Sequence, residues 1–277
     1  MAGVDYEVEY NNRARVPQNP QLMAGWANDA AAYRESHAPR RIAYGPGARN
    51  VIDVFSGGRG DDASDNAPVV TFIHGGYWQA LDGSSFSHMA RGLNAHGISV
   101  AVPTYTLCPQ ASVADIIEEM RQATRELAKL ASRMIVSGHS AGGHLAACML
   151  ATDWKAYDAS LPSQLVTSAY AISGLFELGP LVPTSINKAL GLDQDTARAN
   201  SPLFWKPPSR GSIDAVVGEA ESAEYHRQSR TITEAWAKAG IATRYGVVPA
   251  ANHFTAIAPM ADPDSAMTLR LKELAGA

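Results

Sequence analysis

A serine between two glycines is the first feature of this sequence that could carry out chemistry. Residues 138–142 read Gly-His-Ser-Ala-Gly. The apolar, strand-like run Met134–Val136 precedes this motif, and small residues with helical character follow it. A reactive serine needs this arrangement, because it is held on a strained turn from strand to helix where side chains in place of the glycines would collide with neighbouring backbone. The start of the helix also favours developing negative charge. The motif therefore predicts Ser140 as a nucleophile.

A second glycine-containing motif ends an earlier strand. Residues 74–78, His-Gly-Gly-Tyr-Trp, follow the β-branched run Val69–Ile73. A loop in this position donates backbone N–H groups to the oxyanion of an acyl-transfer intermediate, and glycine lets the backbone approach the substrate closely. We expect the donors to be Gly76 and Tyr77, joined by Ala141, the residue after the nucleophile. The two motifs occur in the order and separation that such a catalytic site demands.

Eight histidines compete for the role of general base. His253 follows the last predicted strand in the short polar loop 251–254, which is where the chain order serine, acid, histidine places the base. His139 and His144 flank the serine at positions that do not bring an imidazole against its hydroxyl, and His74 is expected to support the oxyanion loop. The remaining four are expected at the surface: His37, His88, His96 and His226.

The acid that orients the imidazole should follow the predicted strand Ile213–Val217. Residues 218–224 contain three glutamates and no aspartate. Glu221 has the offset from the strand-ending glycine that this type of fold uses, and it is the preferred candidate. Glu224 lies about one helical turn further on, where it could instead anchor neighbouring backbone, and Glu219 is the third alternative.

The composition limits the class of protein. The chain has 277 residues, of which 46% are hydrophobic and 18% charged, as in a compact globular enzyme. Its formal net charge of -4 indicates no affinity for nucleic acid or an anionic membrane, so a small molecule is the expected partner. Cys108 and Cys148 match no metal-ligand or redox spacing, which favours free thiols in a reducing compartment. With no signal peptide or membrane-spanning run in the sequence, we expect a cytoplasmic protein. We also expect no cofactor.

Strand-like and helix-like runs alternate after residue 50, which is typical of an α/β fold with a mostly parallel central sheet and helices on both faces. Ser112 and Asp115 form the sequence pattern of a capping box, and apolar residues then recur at helical spacing from Ile116 to Leu130. The predicted strands are Val51–Phe55, Val69–Ile73, Ile98–Val102, Met134–Val136, Leu165–Ile172, Ile213–Val217 and Ala242–Val248.

Three segments depart from this alternation within a single predicted domain. Residues 1–38 predict a helical N-terminal extension. Its expected apolar anchors are Leu22, Met23 and Trp26. The stretch from Gly57 to Pro68 is a glycine- and aspartate-rich loop, and residues 175–208 are rich in proline and leucine and too long for a tight connection. We interpret residues 175–208 as a lid or cap over one end of the sheet, with an irregular surface excursion as the alternative.

Six segments spread along nearly the whole chain form a recognisable combination. They are residues 10–13 (Tyr-Asn-Asn-Arg), 74–78 (His-Gly-Gly-Tyr-Trp), 105–109 (Tyr-Thr-Leu-Cys-Pro), 138–145, 221–225 (Glu-Ser-Ala-Glu-Tyr) and 227–229 (Arg-Gln-Ser). Together they resemble the kynurenine formamidase (arylformamidase) branch of the α/β-hydrolases. The resemblance implies hydrolysis of an aryl formamide such as N-formylkynurenine, without a metal. Some members of this branch have aspartate at the position of Glu221 and proline at that of Ala223.

The resemblance leaves the substrate open, because the branch also contains relatives that resemble general carboxylesterases acting on short-acyl or aryl esters. A hydrolase fold that only binds a ligand is a remote third reading, and the intact serine, histidine and acid argue against it. Four aromatic residues are candidates for stacking on an aromatic leaving group, with core packing as the alternative for each: Tyr77, Trp78, Tyr105 and Phe254. A homodimer is compatible with the sequence.

Overall fold

A computed structural model describes residues 3–58 and 68–276, so residues 59–67 of the predicted loop 57–68 lie outside the described part. Within the described residues the chain forms one sheet of eight strands. The strands are β1 (Arg40–Ala43), β2 (Val51–Phe55), β3 (Val69–Ile73), β4 (Ser99–Pro103), β5 (Met134–His139), β6 (Val166–Ile172), β7 (Ser212–Gly218) and β8 (Ala242–Val248).

The order of the strands brings the predicted motifs to one edge of the sheet. The spatial order is β1-β2-β4-β3-β5-β6-β7-β8, and every pair from β4 to β8 is parallel, whereas β2 is antiparallel to both β1 and β4. Because the carboxyl ends of parallel strands lie at the same edge, the loops after β3, β5, β7 and β8 meet there. The register pairs Ile73 with Gly138, which places the two glycine motifs side by side.

The predicted fold class is confirmed. Three strands, β2, β3 and β8, have the predicted bounds, and most of the others differ by about one residue at an end. Strand β5 continues to His139, three residues beyond the apolar run, because its last residues pair with β6 although they are polar or glycine. Strand β1 was missed since its four residues are almost entirely exposed and carry no apolar alternation.

Helices cover both faces of the sheet. The α-helices are α1 (Tyr6–Tyr10), α2 (Asn12–Arg15), α3 (Asn19–Ser36), α4 (Arg91–Asn94), α5 (Val113–Leu127), α6 (Ala141–Ala151), α7 (Trp154–Tyr157), α8 (Asn187–Leu190), α9 (Gln194–Ala199), α10 (Ala223–Lys238) and α11 (Ala266–Ala275). Helices α5, α6 and α10 contribute to one hydrophobic core, and α3, α4 and α11 to a second. The capping box of α5 is present, with reciprocal hydrogen bonds between Ser112 and Asp115. None of the helices in the described residues is long and apolar enough to cross a membrane.

The N-terminal extension consists of α1 to α3 and packs against the body of the protein. Trp26 is buried between Phe86 and Phe254, at ring-centroid distances of 5.3 and 5.9 Å. Helix α3 is also fixed by charge, since Arg34 donates to the buried carboxylate of Asp53 on β2 at 2.7 Å. The extension therefore has a fixed position relative to the edge of the sheet where the motifs meet.

Residues 175–208, here called the cap segment, contain several short helical turns. The start of the segment is buried and bound to α10, because the Gln228 side-chain oxygen accepts hydrogen bonds from the amides of Phe176 and Glu177 at 2.8 and 2.9 Å. Further along, Ser185 donates through its amide and its hydroxyl to Glu7, each at 2.7 Å. The cap segment is thus connected to the N-terminal extension as well as to helix α10.

Asp53→Asn should destabilise the protein by about 2 kcal/mol at neutral pH, because it removes the charge that two arginines share. Burial alone would raise the pKa of Asp53, but hydrogen bonds from Arg41 and Arg34 outweigh burial and lower this pKa. The stabilisation is therefore complete above the ordinary carboxyl pKa of about 4 and is lost as the pH falls through the lower pKa of the folded state. Urea unfolding at pH 7 and pH 3 measures it, with exposed Glu35→Gln as the control. Equal stability of Asp53→Asn and wild type at pH 7 would contradict the prediction.

Candidate active site

Ser140 lies on a strained turn between β5 and α6. Its backbone has φ 56° and ψ −116°, a combination that costs energy for a residue with a side chain. The turn is held by the hydrogen bond from the Ser140 amide to the Ile172 carbonyl at 2.8 Å. A side chain at Gly142 would clash with the Ile73 carbonyl of β3, and one at Gly138 would clash with the backbone of Gly142. Both glycines are therefore required by close backbone packing, as the motif predicts.

An imidazole and a carboxylate are bound to each other beside this turn. His253 and Glu221 are both buried, and the distance from His253 Nδ1 to Glu221 Oε2 is 2.7 Å. The second oxygen of Glu221 accepts hydrogen bonds from the Ser173 hydroxyl at 2.5 Å and from the Gly218 amide at 2.7 Å. Each oxygen of the carboxylate thus has a partner, so the orientation of the His253 ring is fixed. Ser140 and His253 line the same cavity.

The other two glutamates that follow β7 have different partners. Glu224 binds Arg227 with both carboxylate oxygens, at 2.8 Å each, and accepts a hydrogen bond from the Tyr10 hydroxyl at 2.8 Å. Glu219 is exposed and accepts from the Ala250 amide at 2.7 Å. Of the three alternatives left open by the sequence, Glu221 is therefore the glutamate that the structure brings to His253.

His139 contacts His253 through both its ring and a hydrogen bond to the His253 backbone. Its Nε2 lies 2.9 Å from the His253 carbonyl oxygen, and the two rings are 4.6 Å apart. Burial lowers the pKa of His139 well below its usual value, and the neighbouring His253 lowers it further. His139 is therefore neutral, and because a carbonyl can only accept, its proton lies on Nε2.

The predicted oxyanion loop has an unusual backbone next to Ser140. Gly76, Tyr77 and Trp78 have φ values of 103°, 49° and 57°, so three consecutive residues are left-handed. A side chain at Gly75 would come within 2.8 Å of the His139 carbonyl, which shows how closely this loop approaches the turn that carries Ser140. Among residues 3–58 and 68–276 we find no acceptor for the amides of Gly76, Tyr77 and Ala141. Unpaired N–H groups of this kind can stabilise an oxyanion.

His74 and Tyr105 hold the oxyanion loop from inside the protein. Their rings are stacked at 4.2 Å, and the Tyr105 hydroxyl donates to the His74 carbonyl at 3.0 Å. Burial lowers the pKa of His74 to about 4, so its imidazole is neutral at physiological pH. His74 thus lies where the sequence placed it, in support of the loop. His88, by contrast, was expected at the surface and is buried, because its helical turn packs under α3.

A cavity of about 440 Å³ opens onto Ser140 and His253. Two of the four aromatic residues predicted to contact substrate, Tyr77 and Phe254, line it. The prediction is wrong for Trp78 and Tyr105, which are fully buried and absent from its wall. Trp78 packs edge-on against His144, with the ring centroids 5.0 Å apart. Tyr105 instead stacks on His74 and hydrogen-bonds to its carbonyl.

Several residues of the cavity wall were missed as site residues. They include Asn12, Met23, Trp26, Ser185 and Ile186, which come from the N-terminal extension and the cap segment. The sequence indicated Met23 and Trp26 only as apolar residues that anchor a polar helix, and not as residues of the site. No group of three or more histidine, cysteine, aspartate or glutamate side chains in the described ranges is arranged to hold a metal ion.

Solved structures place this fold in a known class. A crystal structure of a candidate thioesterase from Silicibacter sp. TM1040 is 32% identical, covers 98% of this chain and 100% of its own, and superposes with a TM-score of 0.85. An esterase from Pyrobaculum calidifontis has the same fold, with a TM-score of 0.72 at 16% identity over 93% of this chain and 92% of its own. Together with the serine turn and the imidazole-carboxylate pair, this defines a hydrolase enzyme of the α/β-hydrolase class.

Sequence relatives narrow the class to a family. The BD-FAE family model matches residues 59–173. A kynurenine formamidase from Salmo salar is 30% identical over 244 residues, which cover 85% of this chain and 81% of the relative. One from Danio rerio is 29% identical over 243 residues with the same coverage. The chain belongs to the kynurenine formamidase family.

Glu221→Gln should lower kcat by about three to four orders of magnitude, because an amide cannot stabilise the imidazolium that forms on His253. Glu219→Gln is the matched control, since glutamine can still accept from the Ala250 amide at the exposed position. Steady-state kinetics on p-nitrophenyl acetate measures both variants. A kcat for Glu221→Gln within tenfold of wild type would show that another group orients His253.

Proposed function

We propose that the protein hydrolyses an aryl formamide of the N-formylkynurenine type, with Ser140 as nucleophile, His253 as general base and Glu221 as the acid of the triad. The observation that carries the proposal is the His253–Glu221 pair at 2.7 Å beside a strained serine, in a chain whose relatives include kynurenine formamidases. The resemblance of the sequence motifs to the same branch supports it independently of the geometry.

In the proposed mechanism His253 takes the hydroxyl proton of Ser140 as its oxygen attacks the formyl carbon. The amides of Gly76, Tyr77 and Ala141 stabilise the oxyanion, with about 3 kcal/mol expected for each donor. Protonated His253, stabilised by Glu221, then gives its proton to the departing aryl amine. A water molecule activated by the same imidazole attacks the formyl-serine and releases formate, which restores the serine.

The cavity wall suits an aromatic leaving group. Trp26 and Phe254 are 5.9 Å apart on the wall, and Tyr77 and Met23 complete its apolar part. Flat aromatic side chains favour stacked or edge-on contacts with another ring. These contacts support an aryl rather than an alkyl substrate. A cytoplasmic location and a homodimer stay predictions.

A carboxylesterase acting on short-acyl or aryl esters is the alternative, because the same groups would cleave an ester by the same steps. The 32% identical relative that is described as a candidate thioesterase favours a substrate whose bond is more reactive than an amide. The two functions differ in how strongly the cavity selects the leaving group.

The discriminating measurement is kcat/KM on N-formylkynurenine beside p-nitrophenyl acetate and butyrate, with Ser140→Ala as the blank. For a formamidase we expect a value above about 10⁴ M⁻¹s⁻¹ on the formamide. Weak turnover of the formamide with rapid ester hydrolysis would reject the formamidase and leave the esterase. Undiminished activity of Ser140→Ala would reject the proposed nucleophile itself.

The charge on the cavity wall generates a further prediction about the substrate. Arg13 is exposed and lines the cavity, whereas Arg15 is paired with Glu9 at 3.6 Å. A guanidinium attracts a carboxylate, such as the one that N-formylkynurenine carries. We expect Arg13→Gln to lower kcat/KM on N-formylkynurenine by about fivefold and Arg15→Gln to leave it within twofold, since an exposed pair contributes about 1 kcal/mol.

Neutral 2-formamidoacetophenone, which lacks the amino-acid end of N-formylkynurenine, is the control substrate. Arg13→Gln should leave its hydrolysis unchanged. Equal losses on the charged and the neutral substrate would show that Arg13 shapes the cavity rather than binding a carboxylate.

A further inference from the structure

The end of strand β6 lies between the turns that carry Ser140 and Glu221. Strand β6 pairs with β5 on one side and with β7 on the other. The carbonyl of Ile172, the last residue of β6, accepts the hydrogen bond from the Ser140 amide. The amide of the next residue, Ser173, donates to the Val216 carbonyl of β7 at 2.7 Å. The backbone at this end of β6 is therefore fixed to both neighbouring strands.

Ser173 has a backbone conformation that favours glycine. Its φ is 52°, in the left-handed region where a side chain costs stability. Strained residues of this kind persist only where their surroundings hold them, and they are concentrated at functional sites. Ser173 is also fully buried. Because glycine would relieve the strain, what serine adds at this position is a buried hydroxyl group.

The Ser173 hydroxyl donates to Oε1 of Glu221 at 2.5 Å, since an ionised carboxylate can only accept. The Glu221 side chain is completely buried, and a buried carboxylate needs protein donors to offset its loss of hydration. Its other two donors are the Gly218 amide, which belongs to the same turn, and His253, the group that it orients. Apart from His253 itself, Ser173 is thus the donor in the described part of the chain that joins this carboxylate to residues outside its own turn.

We propose that Ser173 is a positioning residue, which acts on the reaction through Glu221 by holding its carboxylate in the orientation that binds His253. The hydroxyl holds Oε1 from the end of β6, and Oε2 is thereby directed at the imidazole. Without the hydroxyl, Oε1 would be held by the Gly218 amide alone, and the imidazolium that forms during the reaction would lose part of its stabilisation.

This role is indirect, because Ser173 is absent from the wall of the cavity onto which Ser140 and His253 open. The hydrogen bond to Glu221 is the route by which its hydroxyl affects the reaction. The proposal therefore rests on Glu221 being the acid of the proposed triad. It does not depend on whether the substrate is a formamide or an ester.

Ser173→Ala removes the hydroxyl. On p-nitrophenyl acetate we expect its kcat to fall by about tenfold with KM within about threefold, because the lost hydrogen bond holds a charged group. Ser168→Ala is the matched control, since Ser168 is a buried serine of the same strand whose hydroxyl binds Ser212 at 2.9 Å. The control should keep kcat within about twofold of wild type. A kcat of Ser173→Ala that also stays within twofold would overturn the proposal.

A double-mutant cycle shows whether Ser173 acts through Glu221. In the Glu221→Gln background, where the carboxylate is absent, Ser173→Ala should lower kcat by less than about twofold further. The residual rates are measured against Ser140→Ala as the blank. A serine that only supports the packing of β6 would cost the same factor in both backgrounds, and that result would overturn the proposal.

Ser173→Gly separates the hydroxyl from the strain of the backbone. It removes the same hydroxyl but relieves the left-handed conformation, so it should unfold at a higher temperature than Ser173→Ala and show the same loss of kcat. It also tests the proposal if Ser173→Ala does not fold. A glycine variant with the kcat of wild type would overturn the proposal. Failure of the triad assignment is seen separately, as a kcat of Glu221→Gln within tenfold of wild type.

Discussion

The close approach of three backbone segments at Ser140 is the constraint on which the rest of the structure depends. Strand β3, strand β5 and helix α6 come together at a distance that only glycine permits, at Gly138 and Gly142. This packing forces Ser140 into a positive φ, and a strained residue persists only when its surroundings over-determine it. The position of Ser140, the proposed nucleophile, is thus set by the packing of the sheet against α6. Everything else at the site is placed relative to it by loops that follow neighbouring parallel strands.

The carboxylate of Glu221 connects those loops. It binds the Gly218 amide in its own turn, the Ser173 hydroxyl after β6 and the imidazole of His253 after β8. One charged group therefore fixes three loops that are distant in sequence. Charge-assisted hydrogen bonds are stronger than neutral ones, so a single buried carboxylate can hold the imidazole in one orientation without further charged neighbours.

The sequence identified the parts of the site that local rules govern. A strained turn and a closely packed loop require glycine, so the motifs around Ser140 and Gly76 are visible in the chain, and chain order then indicates His253. The local pattern could not decide which of the three glutamates, Glu221, Glu224 or Glu219, binds His253, because their partners come from elsewhere in the fold.

The sequence also did not show to which side of the backbone neighbouring side chains point. Tyr77 and Trp78 adjoin in sequence, yet one lines the cavity and the other packs in the core, because the left-handed backbone turns them to different sides.

The hydrogen bonds between Glu7 and Ser185 join the N-terminal extension to the cap segment, two stretches that lie far apart in the sequence. The loops at the carboxyl edge of the sheet carry Ser140, His253 and Glu221, while residues of the first helices and the cap segment form part of the cavity wall. These two parts are encoded in separate stretches of the chain. The first helices and the cap segment therefore shape the cavity without carrying any of the three proposed catalytic groups, so substitutions there can change the shape of the cavity and leave those three groups in place.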